Sequence, residues 1–332
     1  MFFKASKIIF EKNLDDKNFI LAQLFVPDID IKTQWVQNGL PVAGNNGASN
    51  DLDKLSHPYD SYIDYDQTMY IADYGNHRIM KWKPGTTSGQ IVAGGNGSGS
   101  GLKQLSNPTN VLVDKENNAL IICDRTNKRV LRWPCENDGN VEILISNIDC
   151  YGLAMDNNRH LYVSDRSKHE VRRRSLKDGT EIVVAGGNGR GHRLDQLDGP
   201  TFIFVDREHS VYVSDSENHR VVKWTASARE GVVVAGGHGR GSRLTQFFNP
   251  GGVVVDQSGA VYVADYKNDR IVRWIKDATT GAIIVGGNGV GSAGNKFNGP
   301  WGLTFDRQNS IYVVDYWNHR VQKFICDGES RP

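Results

Sequence analysis

A chain of 332 residues with 39 lysines and arginines against 38 aspartates and glutamates has a formal net charge of +1. It exerts no global pull on nucleic acid or an anionic membrane, so any electrostatic partner must be read from local patches. No apolar run approaches the roughly 20 residues that span a bilayer, and charges interrupt the opening MFFKASKIIFEKNLDDK where a secretion signal needs an apolar core. These features lead us to expect a soluble chain with no membrane partner, cytoplasmic rather than secreted, although secretion is left open.

Thirty-six glycines against ten prolines suit many tight turns better than long helices. Cys123, Cys135, Cys150 and Cys326 are too few for a disulfide framework and form no C-x-x-C pair, which excludes a zinc knuckle. Incidental thiols in a reducing compartment are expected, with pairing of Cys123 and Cys150 left open.

In chain order, residues 1–30 match nothing else and stand apart as a non-repeat segment of undetermined fold. Six related segments follow: MYIADYGNHRIMKW, LIICDRTNKRVLRW, LYVSDRSKHEVRRR, VYVSDSENHRVVKW, VYVADYKNDRIVRW and IYVVDYWNHRVQKF. Their aspartates, Asp73, Asp124, Asp165, Asp215, Asp265 and Asp315, advance in steps of 51, 41, 50, 50 and 50 residues. A second ladder, Asp64, Asp114, Asp156, Asp206, Asp256 and Asp306, precedes the first by nine or ten positions. A fixed period of this length is the mark of a repeat architecture.

Each unit reads as four short strands. GGVVVD is an apolar strand ended by the turn signal QSG, VYVAD alternates, YKND returns the chain into RIVRW, and AIIVGG closes the unit. The aspartates of both ladders sit at strand ends, where a carboxylate can accept backbone N–H groups, and are assigned structural roles. The arginine after each loop could pair with the aspartate across it, for about 0–1 kcal/mol if exposed. A fifteen-residue, Gly-rich connector then leads to a proline, as from Ala93 to Pro108 or Ala235 to Pro250. The same spacing runs from Ala43 to Pro58, while the chain after Phe324 is too short for another strand. Residues near Leu40–Gly44 should therefore complete the last unit. The expected fold is all-β: a six-bladed β-propeller of four-stranded antiparallel blades over residues 31–326, with a tail at 327–332.

The element D-x-x-N-H-R-[VI], at Asp73–Ile79, Asp215–Val221 and Asp315–Val321, together with the connector VAGG-N-G, resembles the NHL repeat. Units two and three depart from it with NKRV and KHEV. The resemblance implies a binding scaffold: similar propellers recruit substrates in tripartite-motif ubiquitin ligases, form sensor domains of bacterial receptor kinases, or bind single-stranded RNA through a basic face. No RING, B-box, coiled coil, kinase or membrane segment accompanies the repeats, so ligase activity would have to come from another chain.

Topology puts the D-x-x-N loops and the Gly-rich connectors on one face, the usual place for recognition on a rigid scaffold. The 41-residue step removes one connector there, between blades two and three. The next two connectors carry Arg190, His192 and Arg193, then His238, Arg240 and Arg243. With the aromatics Tyr151, Phe202, Trp301 and Trp317, these form the candidate binding residues, since Arg and aromatic side chains dominate interaction hot spots. The ordinary alternative is solvated charge on loops and aromatics packed between blades. The expected partner is a protein or peptide bound by a monomer, with RNA as the alternative and a channel lyase or hydrolase, as in the similar amidating lyases, as the second. None of the first strands (YDSYID, TNVLVD, YGLAMD, TFIFVD, GGVVVD, WGLTFD) contains histidine, and no Ser/His/Asp set stands apart from the repeat. No metal, cofactor or catalytic residue is therefore assigned, and GGNGRG, lying between strands without a following helix, is read as blade punctuation.

Overall fold

Strands of five to seven residues, most of them ended by an aspartate or a glycine, assemble into six four-stranded antiparallel sheets arranged in a ring. The structure is a computed structural model describing residues 25–44, 47–136 and 139–327. Strands β2–β5 (residues 58–94) form the first blade, β6–β9 (108–146) the second, β10–β13 (150–186) the third, β14–β17 (200–236) the fourth and β18–β21 (250–286) the fifth. The sixth holds β22–β24 (300–324) and takes its outer strand, β1 (Leu40–Gly44), from the chain's beginning. β1 runs antiparallel to β24 (Arg320–Phe324), pairing Leu40 with Lys323 and Gly44 with Arg320, so the ring closes as the spacing of the connectors implies. The second strands are the most apolar: Val261–Asp265 and Ile311–Asp315 are buried throughout. Each packs against the next blade's inner strand.

The D-x-x-N-H-R element is the joint between blades. In the fourth blade Asp215 Oδ1 accepts the backbone N–H of Asp198 at 2.7 Å, and its Oδ2 accepts Asn218 Nδ2 at 2.8 Å and Arg220 Nε at 2.7 Å. The other guanidinium nitrogens donate to the carbonyls of His192, Arg193 and Gln196, in the connector that enters the blade. The first, second and fifth blades repeat this with Arg78, Arg129 and Arg270, and the sixth uses Arg320. These pairs are not exposed: Arg220 is 6% and Asp215 0% accessible. Removing one partner from such a pair costs about 3–5 kcal/mol, because the other is left as an uncompensated buried charge, well above the value for an exposed pair.

The fifth residue of the element is a latch to the following blade. His77, His219 and His319 stand in the left-handed region at φ 55°, 56° and 55°. Their Nδ1 atoms accept backbone N–H groups of Asn107, Asn249 and His57 at 3.1, 3.3 and 3.0 Å, each just before the proline that starts the next inner strand. His169 does the same for Gly199, and Asp269 for Gly299. Burial holds the His219 and His319 imidazoles below their ordinary value, as a neutral acceptor requires.

One seam lacks these parts, and the sequence departures have their cause there. Between blades two and three the chain passes directly from β9 (Glu142–Ser146) to β10 (Cys150–Met155). With no connector to grip, the third blade has Lys168 and Glu170 where other blades have Asn and Arg, and Glu170 instead accepts Arg172 at 2.7 Å. The latch position before the seam is Lys128, whose ammonium cannot accept a hydrogen bond. A disulfide from Cys123 in β7 (Ala119–Asp124) to Cys150 crosses this seam, with the Cα atoms 5.8 Å apart. The sequence alone leaves the pairing of these two cysteines open. Cys135 is a free, exposed thiol.

Residues 25–39 extend the ring beyond the repeats. The Gln257 N–H donates to the Pro27 carbonyl at 2.9 Å and Asn309 Nδ2 to the Asp28 carbonyl at 2.8 Å, so this segment crosses the turns of blades five and six. Trp35, 2% exposed, packs edge-on to Tyr262 and Phe305 and donates its Nε1 to Asn309 at 2.8 Å. Residues 25–30 therefore pack on the ring, while residues 1–24 lie outside the described residues. Deleting residues 31–45 strips β1 from the sixth blade and unseats Trp35. Thermal unfolding should then broaden and the protein should self-associate; a sharp transition at the parent's temperature would contradict the closure.

Candidate functional site

The D-x-x-N loops and connectors share one face, the loop face, and the Asp256-type turns share the other. On the loop face the two basic connectors are tied down by their backbones, since Arg220 and Arg270 grip the carbonyls of His192, Arg193, Ser242 and Arg243. Their side chains point outwards but carry less free charge than the arginine count suggests. Arg190 pairs with Asp198 at 2.9 Å and Arg193 with Asp195 at 2.9 Å, with the arginine side chains 69% and 63% exposed. Arg240 lies over the Phe248 ring at 3.9 Å. His192, His238 and Arg243 are exposed beside them. The acidic partners lie within the same connector, a pairing the spacing of the repeat does not announce.

The aromatic candidates gather elsewhere, at the centre of the loop face. Tyr59, Tyr151 and Trp301 each follow the first residue of an inner strand, and Phe202 comes one residue later. Their rings meet around Tyr59, with centroids 5.9 Å to Tyr151, 6.1 Å to Phe202 and 5.4 Å to Trp301. Tyr74 and Tyr316 complete the group at 5.4 and 6.0 Å from Tyr59. This rosette closes the channel at its loop-face end: Tyr59, Tyr151 and Phe202 are buried, whereas Trp301, Tyr74 and Tyr316 remain partly open. Two guanidinium groups, Arg125 at 4.2 Å and Arg166 at 5.1 Å, stack over the Tyr151 ring. Both arise from blades flanking the short seam. Trp317, 45% exposed, donates its Nε1 to Tyr266 Oη at 3.0 Å and extends the aromatic surface outwards. The structure therefore joins Tyr151, Phe202 and Trp301 in one centre, sets Trp317 beside it, and leaves the six basic connector residues as a separate outer sector.

Below the rosette lies a cavity of about 160 Å³ in the channel, open towards the turn face. Apolar residues of the inner strands line it, including Val111, Leu153, Val253 and Leu303, but at its closed end stand Asp60 and Asn110. Asn110 Nδ2 donates to Asp60 Oδ2 at 2.5 Å. Asp60 faces the cavity rather than bulk solvent, and burial pushes its carboxyl up to about 8, with the Ser61 N–H pulling weakly the other way. The remaining acids of the cavity are at its mouth, where Asp64 pairs with Lys115 and Asp306 with Lys323. The first-strand motif YDSYID contains Asp60, yet only comparison with glycine at the same position in blades three, five and six would have marked it. Among the described residues, no three His, Cys, Asp or Glu side chains converge as a metal site.

Residues 197–224, 247–274 and 297–324 match the family NHL, described as the NHL repeat. The chain carries NHL repeats. No curated protein matches it. Among solved structures, this NHL-repeat propeller is similar to a structural genomics protein of unknown function from Bacteroides thetaiotaomicron, at 16% identity and a TM-score of 0.71 over 89% of this chain and 77% of that one. An auxiliary nutrient binding protein from the same organism follows at 15% identity and a TM-score of 0.64, over 92% and 76% of the two chains. Virginiamycin B lyase from Staphylococcus aureus matches at 12% identity and a TM-score of 0.53, over 88% and 99%. At these identities the likeness concerns the fold.

The raised Asp60 carboxyl has a consequence for stability. Its folded value, about 8, exceeds the unfolded value near 4, so the folded state holds a proton that the unfolded state has lost between these limits. Stability from this group is then full below pH 4 and falls as pH rises towards 8. Asp60→Asn removes the effect. The melting temperature of the variant should gain on the parent between pH 5 and 8, by several degrees; a constant difference would contradict the assignment.

Proposed function

We propose that this NHL-repeat propeller is a binding scaffold that takes a protein or peptide segment on its loop face, with the aromatic rosette as the floor of the site. The reading rests on one observation above the rest: partly open Trp301, Tyr74 and Tyr316, exposed Trp317, and the stacked guanidinium groups of Arg125 and Arg166 lie together on one rigid face. Ring edges and guanidinium planes give large contact area at small conformational cost, which is why such groups dominate hot spots. The missing connector between blades two and three leaves a notch at the rim beside Arg125 and Arg166, through which an extended segment could lie. The outer sector with Arg240 and Arg243 adds charge on the far rim. The propeller would recruit its partner without performing chemistry, and catalysis such as ubiquitin transfer would belong to another chain.

Single-stranded RNA is the alternative occupant, stacking bases on the same rings. The pairing of Arg190 with Asp198 and Arg193 with Asp195 lowers the phosphate-binding charge available for it.

A displayed random-peptide library selected on the immobilised protein tests the reading. Selected peptides should lose at least tenfold in affinity on Arg125→Glu with Trp317→Ala. They should keep it on Arg207→Glu with Lys276→Glu, which alters the turn face. Absence of selected peptides, or equal binding to both variants, would overturn the assignment. RNA binding would show itself by an affinity falling with salt at a log–log slope of about −0.7 per phosphate contacted.

A further inference from the structure

The six loops between the second and third strands read YGNH, RTNK, RSKH, SENH, YKND and YWNH. They hold five lysines and arginines, and four of these, Arg125, Lys128, Arg166 and Lys168, lie in the two loops that flank the short seam. Two of the four stand at positions that the other blades spend on architecture. Asparagine holds the third loop position in five blades and, as Asn127 and Asn218 do, bridges the blade's aspartate to a carbonyl of the entering connector. The third blade has Lys168 there instead. The fourth loop position is the latch, histidine or aspartate in five blades, and the second blade has Lys128 there. The missing connector removes the partner of both positions at once and releases them from the repeat.

Charge held on a fixed backbone fills the released positions. Lys128 stands in the left-handed region at φ 50°, yet its ammonium cannot accept the latch hydrogen bond that histidine and aspartate make from that position. Its carbonyl accepts the Ile148 N–H at 3.1 Å, and the Arg166 N–H donates to the Asp149 carbonyl at 2.9 Å. Both loops are thus tied to the strip of chain that floors the seam, in which Ile148 and Cys150 are fully buried. The arginines are partly answered, since Arg125 Nε donates to Asp149 at 3.4 Å and Arg166 Nη2 to Glu217 at 2.7 Å. Lys128 and Lys168 are exposed, and neither ammonium has an acidic partner among the described residues. Two positive charges therefore remain at the notch, in a chain whose formal net charge is +1. They lie beside the rosette, on whose Tyr151 ring Arg125 and Arg166 stack.

We infer that the notch between blades two and three is a subsite for acidic residues: a peptide with an apolar side chain on the rosette runs out over the seam and presents two or more carboxylates to Lys128 and Lys168. The inference rests on the loop-face reading and names the chemistry of the partner. Electrostatic complementarity of this kind sets which partner docks and in which register. A basic segment would meet four cations of like sign. A nucleic-acid strand fits less well, because its evenly charged backbone would also pass Asp149 and Glu217, whereas a peptide can place its acids only where the lysines stand. The outer basic sector does not compete for the same residues, since Arg190 and Arg193 are paired within their own connector.

Sequencing the peptides recovered from a displayed random library separates this inference from the reading beneath it. Selection on the parent protein should enrich Asp and Glu about threefold or more over the input pool. Selection on Lys128→Gln with Lys168→Gln should recover peptides without that enrichment. Acidic peptides from the first selection should bind this variant about fivefold more weakly, as the loss of two exposed ion pairs implies. Its melting temperature should match the parent's, because neither ammonium is engaged in the fold. Lys103→Gln with Lys296→Gln removes two charges from connectors elsewhere on the same face and should change the affinity by less than about twofold. Peptides that depend on Arg125 and Trp317 but show no acidic enrichment would overturn the inference and leave the loop-face reading standing. Recovery of no peptide would overturn both. An equal loss on the two lysine pairs would trace the effect to the charge of the whole face and overturn the notch. Binding of an oligouridylate through Lys128 and Lys168, with no acidic peptide recovered, would overturn it in favour of RNA.

Discussion

Each Gly-rich connector is held by a buried carboxylate and guanidinium from the blade it enters, and the ring depends on that grip. Glycine-rich chain has high conformational entropy and little side chain to pack, so its order must be supplied from outside. Asp215 and Arg220 supply it for residues 191–198 through hydrogen bonds to one amide and three carbonyls. The ion pair is half of the device; the carbonyl contacts are the other half, because they use guanidinium donors that the carboxylate leaves over. Where the connector is missing, the arginine is replaced by Glu170 and the seam is crossed by the Cys123–Cys150 bond instead. The repeat element is therefore spent on architecture, and function has to be sought in residues that vary between blades.

Those residues divide by face. Inner strands begin at the loop face and end at the turn face, so the second and third positions of each strand decide how the channel is plugged. Tyr59, Tyr151, Phe202 and Trp301 fill the loop-face end with rings, and Asp60 and Asn110 face the space beneath. A propeller with glycine at all six positions would have an open pore. This one has a closed aromatic floor on one side and a blind pocket on the other.

The period, the blade count and the closing strand were legible in the sequence because each follows from spacing alone. The 41-residue step likewise announces the short seam between blades two and three. Burial was less legible. The spacing of Asp215 and Arg220 shows that they can meet, but their energetic weight depends on the exclusion of water, which only the packed connectors provide. The basic sector was read from Arg190 and Arg193 without Asp198 and Asp195, since partners inside an irregular loop follow no period. Histidine in the inner strands would mark a channel site by residue type, whereas Asp60 in YDSYID does not stand out, because aspartates recur throughout the repeat. Its difference lies in facing the channel cavity with no cationic partner among the described residues, a property of three dimensions.

Native-state hydrogen exchange on the double variant Asp215→Asn with Arg220→Met measures the connector grip most directly. The pair is removed together, so no uncompensated charge is left behind. Amides of Gly191, Gln196 and Asp198 should lose at least tenfold in protection, while those of Gly241, Gln246 and Phe248 in the next connector keep theirs. Unchanged protection at residues 191–198 would mean that the connectors order themselves, and that the clamp is not what holds the ring.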